Sequence, residues 1–306
     1  MRQRSTRSTS STRRWPRWLG AAATLLGCAF AATAQDAAAL RTKHASLHEQ
    51  LANNQFGRAL TIESTETSGN LKGDVYAVAE QPYTVVGPAL QGMDHWCDIL
   101  MLHLNVKDCT WRGSGATSTL NVAIGRKFDQ PLADTHKGEF AYRVLANTPE
   151  YLQIQLNADT GPLGTKDYRL VLEATPIDAK TSFVHMSYSY GFGMAARIAM
   201  QGYLATLGRS KVGFSIIEHK SDGTPVYTGN VRGVIERNAM RYYLAIDAYL
   251  AALSAPPGEQ PEKRIRGWIA SVERYPKQLR EMDPEEYLAM KRRELARQQA
   301  SIAKAS

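Results

Sequence analysis

Cysteine is scarce in this chain, three in 306 residues, and the short signatures that announce catalysis are missing. There is no H-E-x-x-H, no C-x-x-C, no G-x-S-x-G and no Walker loop, so zinc proteolysis, dithiol redox chemistry, the hydrolase elbow and phosphate cradling have no handle here. A long apolar run is also lacking. The best candidate, from Trp18 to Ala32, falls short of the roughly 20 residues a spanning helix needs. Nor is there a sustained excess of one charge: of 37 basic side chains against 29 acidic, six (Arg2, Arg4, Arg7, Arg13, Arg14 and Arg17) fall in the first 34 residues, which hold no acid. The remainder is nearly balanced, which takes away the electrostatic footprint of a nucleic-acid binder. At 43% apolar, the chain is globular and long enough for one large core or two modest ones.

What those first 34 residues do contain is a basic, serine-rich start, the apolar run, and Ala32-Thr33-Ala34 before Gln35, the three parts of a bacterial export signal. Cleavage after Ala34 would leave a periplasmic or secreted protein. Leu25-Leu26-Gly27-Cys28 also resembles a lipoprotein signal, in which cleavage after Gly27 leaves Cys28 acylated as a membrane anchor, and both addresses stay open. The pair Arg13-Arg14 hints at the twin-arginine route. Either way Cys97 and Cys109 remain as an even pair in an oxidising compartment, where a disulfide is expected. Bonded cysteines need Cα atoms within about 7 Å. A straight strand through Met101 to Lys107 would hold them more than ~20 Å apart at about 3.3 Å per residue, so bridge and straight strand exclude each other. Because Ile99-Leu100-Met101-Leu102 does not alternate, it reads as a helix end from which the chain doubles back toward Cys109.

Residues 36–54 place Leu40, Ala45, Leu47 and Leu51 among polar neighbours, the spacing of an amphipathic leading helix within a 35–57 segment. The stretches 59–66 and 74–79 alternate on either side of Ser68-Gly69-Asn70, which predicts two short strands and a turn. Pro82 opens a helical stretch through Trp96, and Pro88 removes an amide donor inside it, so two short helices are expected. From Leu120 five segments repeat every second residue: Leu120, Val122, Ile124; Phe140, Tyr142, Val144; Leu152, Ile154, Leu156; Tyr168, Leu170, Leu172; and Val184, Met186, Tyr188, Tyr190. Turn residues separate them, and such alternation marks an antiparallel sheet with one buried and one wet face. Ala239, Tyr243, Ile246, Leu250 and Leu253 then recur every three to four residues, one apolar stripe on a helix ending before Pro256-Pro257. Residues 258–306 are dense in Lys, Arg and Glu and read as a solvated helical tail, or as an arm for a partner.

Gly191, Gly193 and Ala196 carry G-x-G-x-x-A spacing between an apolar stretch and a helical one, the letters of a dinucleotide-binding turn. The preceding strand alternates, however, and comes fifth in an antiparallel series. Ser221-Asp222-Gly223 then makes a hairpin between 212–218 and 226–230 rather than starting a parallel sheet. The glycines are better read as a swing from strand to helix that lets the helix lie close to its neighbour.

Strand 73–80, a helical pair over 82–100 including His95-Trp96, a meander over 120–190 and a helix over 237–253 follow one another, with phrases such as GDVYAVAEQPYTVVGPAL. In that order the elements resemble the helix-grip fold of the START and Bet v 1-like superfamily, the polyketide cyclase and lipid-transport type, over a 58–257 domain. The resemblance implies an α+β fold, a curved antiparallel sheet wrapped around the last long helix. Two departures stand out: a helix over 194–207 and a hairpin precede that helix, and 99–109 leaves the usual second strand in doubt. It further implies a binding or transfer protein for a hydrophobic small molecule or lipid, with contact to an envelope protein or membrane surface as a further partner. Independently, the inner parity of the sheet offers Tyr142, Tyr168, Met186, Tyr188 and Tyr190, apolar bodies with hydroxyl tips and a pliable thioether. With Trp96 and Tyr243 these are the expected ligand-binding residues, Trp96 and His95 at a pocket mouth; the competing reading is ordinary core. No metal or cofactor is expected, since no histidine pair has ligand spacing within the sheet region, and His44 and His48 lie near an exposed terminus. His185 and Glu173 have outward parity, where weak ion pairing is expected. A cyclase- or hydrolase-like enzyme on the same fold, or an envelope scaffold using the charged tail, are the alternatives.

Overall fold

The computed structural model describes residues 36–206 and 208–305. The expected export signal over 1–34, with Cys28, lies outside the described residues.

Eight strands form one antiparallel sheet: β1 (Leu60–Glu66), β2 (Asn70–Ala79), β3 (Val106–Arg112), β4 (Thr119–Ile124), β5 (His136–Thr148), β6 (Tyr151–Thr160), β7 (Thr165–Pro176) and β8 (Ser182–Phe192), in the spatial order β1-β2-β8-β7-β6-β5-β4-β3. The five alternating segments become β4 to β8, each pairing with its successor. Between β2 and β3 run two short helices, α3 (Tyr83–Ala89), which carries Pro88 in its last turn, and α4 (Met93–Leu100), capped by Gly92. Beyond the meander come α5 (Met194–Ala205), a small hairpin of β9 (Ile216–His219) and β10 (Pro225–Tyr227), and the long α6 (Asn230–Ala252). The last strand of the meander returns beside β2, and α6 lies across the concave face. That is the helix-grip fold.

Gly73 sets how closely α6 seats: a Cβ there would stand 3.0 Å from the Cβ of Ala239 and 3.3 Å from the carbonyl of Ile235, so only glycine admits the helix at this distance. β8 settles the nucleotide question, since it is antiparallel to both β2 and β7 and Gly191 sits in register with Asn70 and Lys166. Gly193 faces open space, so the close helix approach expected there is not the reason for it.

The bridge Cys97–Cys109 is present with Cα atoms 5.2 Å apart. As its geometry requires, the chain leaves α4, reverses through His103 and returns as β3. The second strand left in doubt is therefore present, but only after the reversal.

Two expectations are corrected. The outer sheet face is not uniformly wet: α1 (helical over the described 36–46) and α2 (His48–Ala52) bury Ala37, Leu40, Leu47 and Leu51 against Tyr76, Ala146, Tyr151 and Phe183, whereas Ala45 stays exposed. Residues 258–305 are not a solvated tail. α7 (Gln260–Glu273), α8 (Pro276–Leu279) and α9 (Pro284–Ala305) pack on the side of α6 away from the sheet and over the 100–109 reversal. Ile265, Trp268, Val272, Leu279 and Tyr287 are fully buried there, each worth about 1.5–3 kcal/mol of apolar burial. α6 is consequently buried on two sides, Met240, Leu244 and Ala248 joining the predicted stripe. Trp268 Nε1 donates to the Arg241 carbonyl at 3.1 Å, and Lys291 Nζ to the His103 and Val106 carbonyls at 2.8 Å and to Glu294 at 2.7 Å.

Candidate functional site

Between the inner faces of β3 to β8 and the N-terminal half of α6 lies a cavity of about 1080 Å³. Its inner wall is apolar: Val122 and Ile124 of β4, Phe140 of β5, Leu156 of β6, Tyr168 and Leu170 of β7, and Tyr188 of β8. Period-two alternation puts these side chains on one face. From α6 come Asn238 and Tyr242, and from the reversal after α4 comes His103. The opposite end is polar, formed by Arg126, Lys127, Asp134, Tyr203, Lys211, Arg280 and Glu281. Phe128, 52% exposed, and Leu163, 74% exposed at the β6–β7 turn, belong to the lining and stand at its opening.

The aromatic rings form a continuous surface. Tyr168 stacks on Tyr190 with centroids 5.3 Å apart, and Tyr188 lies 6.2 Å from Tyr168 and 4.9 Å from Tyr242. Burial pushes the Tyr168, Tyr188 and Tyr242 phenols upward, so they stay protonated donors. His103 stacks on Tyr242 at 4.7 Å. Its Nδ1 accepts from the Asn105 amide at 3.1 Å, which places the proton on Nε2, and Nε2 has no partner among the described residues. Burial, reinforced by Arg241, Lys291, Lys127 and Lys107, holds its pKa well below the usual value, so the imidazole is neutral.

Of the seven ligand-binding residues expected from sequence, Tyr168 and Tyr188 line this cavity, and Tyr190 backs it through its stack on Tyr168. The other four sit in solid packing. Trp96 is fully buried with its indole N–H on the Leu90 carbonyl at 2.7 Å. Tyr142 donates to the Gln91 carbonyl, and Met186 is fully buried within the core. Tyr243 faces away, its hydroxyl accepting from Arg58 at 2.9 Å while Arg58 forks onto both Asp247 oxygens at 2.8 Å. His95 does not line the cavity but lies beside Asp94 and Tyr249. Among the lining residues that sequence reasoning missed are His103, Tyr203, Lys211 and Tyr242. Tyr242 and Tyr243 are adjacent letters with opposite surroundings, and the apolar stripe favours Tyr243 because it serves the core.

A second polar cluster occupies the outer sheet face. His185 Nδ1 meets Glu173 at 2.6 Å and Nε2 meets Asp74 at 2.9 Å; Tyr151 donates to Glu173 and Lys72 pairs with Asp74 at 2.9 Å. The Tyr76 ring stacks on the imidazole at 4.3 Å. Weak surface pairing, as expected from parity, is not what is found, because Asp74, His185 and Tyr76 are all buried. Burial opposes charge on His185, yet the two carboxylate hydrogen bonds outweigh it and raise its pKa. Asp74 and Glu173 are also opposed by burial and are lowered by those same bonds. Among the described residues no three His, Cys, Asp or Glu side chains converge to hold a metal ion.

No family model and no curated protein matches the chain. Among solved structures it is similar to a truncated norcoclaurine synthase from Thalictrum flavum, 14% identical with a TM-score of 0.33, covering 47% of this chain and 93% of that one. A conserved protein from Geobacillus kaustophilus is 13% identical with a TM-score of 0.34, covering 59% and 95%. A protein from Thermobifida fusca, solved by NMR, is 16% identical with a TM-score of 0.30, covering 44% and 82%.

Proposed function

We propose that this chain is a carrier that binds a hydrophobic small molecule or lipid between its sheet and α6, working in the periplasm or envelope after export. One observation carries the reading: a cavity of about 1080 Å³ with an apolar inner wall and a few convergent polar groups, just above the roughly 300–1,000 Å³ usual for small-molecule sites. The apolar wall supplies affinity through burial, and the His103 Nε2–H and the phenols of Tyr168, Tyr188 and Tyr242 supply orientation.

The test is native mass spectrometry with organic extraction of protein purified from its own host, together with titration by the neutral fluorophore N-phenyl-1-naphthylamine. A co-purifying apolar mass or one-to-one probe binding is expected. Protein that carries nothing and binds no probe ends the proposal.

A further inference from the structure

The polar end of the cavity is electrically lopsided. Glu281 Oε1 receives both Lys127 Nζ and Arg241 Nη2 at 2.7 Å, so a single carboxylate oxygen serves two cations. Lys211 stands on the same wall and donates only to the Arg280 carbonyl, with no carboxylate within ion-pair distance among the described residues. Behind it Arg237, 2% exposed, donates to the Val212 carbonyl at 3.3 Å, shares the Tyr203 hydroxyl, and forms no ion pair with a carboxylate among the described residues. Four cations thus gather around Glu281, and Asp134, the other acid of this end, forms no ion pair among the described residues. Holding cations together with too little counter-charge is costly, and an anion bound at this end would offset that cost. The Lys211 ammonium reports the same imbalance, lowered by burial and by Arg241 and Lys127 despite the opposing Glu281. Tyr203 sits among them, its hydroxyl accepting from Lys127 at 3.2 Å and its own proton without an acceptor among the described residues.

We propose that the cavity takes an amphiphile with an oxyanion head, a carboxylate or phosphate held by Lys127, Lys211 and the Tyr203 hydroxyl, its apolar body running to Phe140, Leu156 and Tyr188. This rests on the carrier reading above and specifies its ligand class. Both head groups fit the same three donors, since ammonium and phenol donors recognise oxyanions without a fixed fork. The neutral inner wall matches an acyl or polycyclic body. A cationic or uncharged amphiphile would leave Lys211 and Arg237 uncompensated.

Fluorescence titration of the intact protein with cis-parinaric acid and with its methyl ester tests this, the two probes differing only in head charge. The acid should bind at least tenfold more tightly. That preference should fall to threefold or less in Lys211→Met, through weaker binding of the acid, and return in Lys211→Arg. Displacement of the ester by lysophosphatidic acid against a monoacylglycerol of equal chain length extends the comparison to phosphate, again with a tenfold preference for the charged form. Equal affinity for acid and ester in the unmodified protein overturns the oxyanion site while leaving the carrier reading intact, because the apolar body is still accepted. Binding of neither probe removes both.

Discussion

His185 shows how much one side chain changes when a strand's outer face is covered. Held between Asp74 and Glu173, it must be doubly protonated to donate to both. Its pKa is raised in the fold, so its contribution is fully present below the unfolded value of 6.5 and is lost as pH rises through the higher folded value. The carboxylates run the other way: lowered in the fold, they contribute above their unfolded values of 3.8 and 4.5, and that contribution disappears as pH falls through the lowered ones. The network is therefore strongest between about pH 4.5 and 6.5. Thermal melts should show the unmodified protein losing stability relative to His185→Gln from pH 6 to 9, the variant lying lower by about 3–5 kcal/mol at pH 6, the cost of unpairing buried charge. Parallel melting curves for the two proteins would refute the assignment. Parity placed His185 and Glu173 on the outer face correctly. Their burial was illegible because it is imposed by α1 and α2, whose docking site no local pattern encodes.

At the scale of elements, the bridge between α4 and β3 and the helices after α6 secure the same region from two sides. Closing the short loop between Cys97 and Cys109 restricts the unfolded chain, so replacing both cysteines by serine should cost about 3 kcal/mol in denaturant unfolding. Intact protein should gain two daltons on reduction. Alkylation of both thiols without prior reduction would refute the bridge. Deleting 258–306 removes the buried Trp268 and Tyr287 and exposes the underside of α6, so the truncated chain should lose cooperative unfolding and precipitate. A soluble truncation melting within a few degrees of the whole protein would return these helices to the status of a tail. The sequence made β4 to β8 legible because their alternation is long and punctuated by turns. It hid β3, which carries Lys107 and Asp108 and shifts register between Val106 and Asp108. α9 was hidden for a related reason: Lys107, Lys291 and Glu294 are buried as one compensated group, and a composition rule that equates charge with solvent misreads all three.

For the molecule as a whole, the open question in the sequence was whether inward tyrosines and methionine fill the space beneath α6 or leave room. Both answers hold, in different halves. Toward the C-terminal end of α6, Met186, Trp96 and Tyr249 close the interior, whereas nearer its N-terminus β2 stays tight on the helix at Gly73 but β4 to β8 stand off around Asn238 and Tyr242, where Tyr168 and Tyr188 line a cavity. Alternation fixes which side chains point inward but carries no information about how far the helix stands away, which depends on Gly73 and on α7 behind it. Substitutions to tryptophan separate the halves. In a filled core the added volume forces off-rotamer side chains and costs about 1–3 kcal/mol, whereas in a cavity it occupies free space. Leu156→Trp and Leu170→Trp, both on the cavity wall, should therefore keep or raise the melting temperature while weakening N-phenyl-1-naphthylamine binding at least tenfold. Met186→Trp, in the packed half, should lower the melting temperature by several degrees and leave probe affinity in the surviving folded protein within a factor of three. Equal destabilisation by all three replacements would mean the space is already occupied by protein, and no carrier function could then be assigned to it.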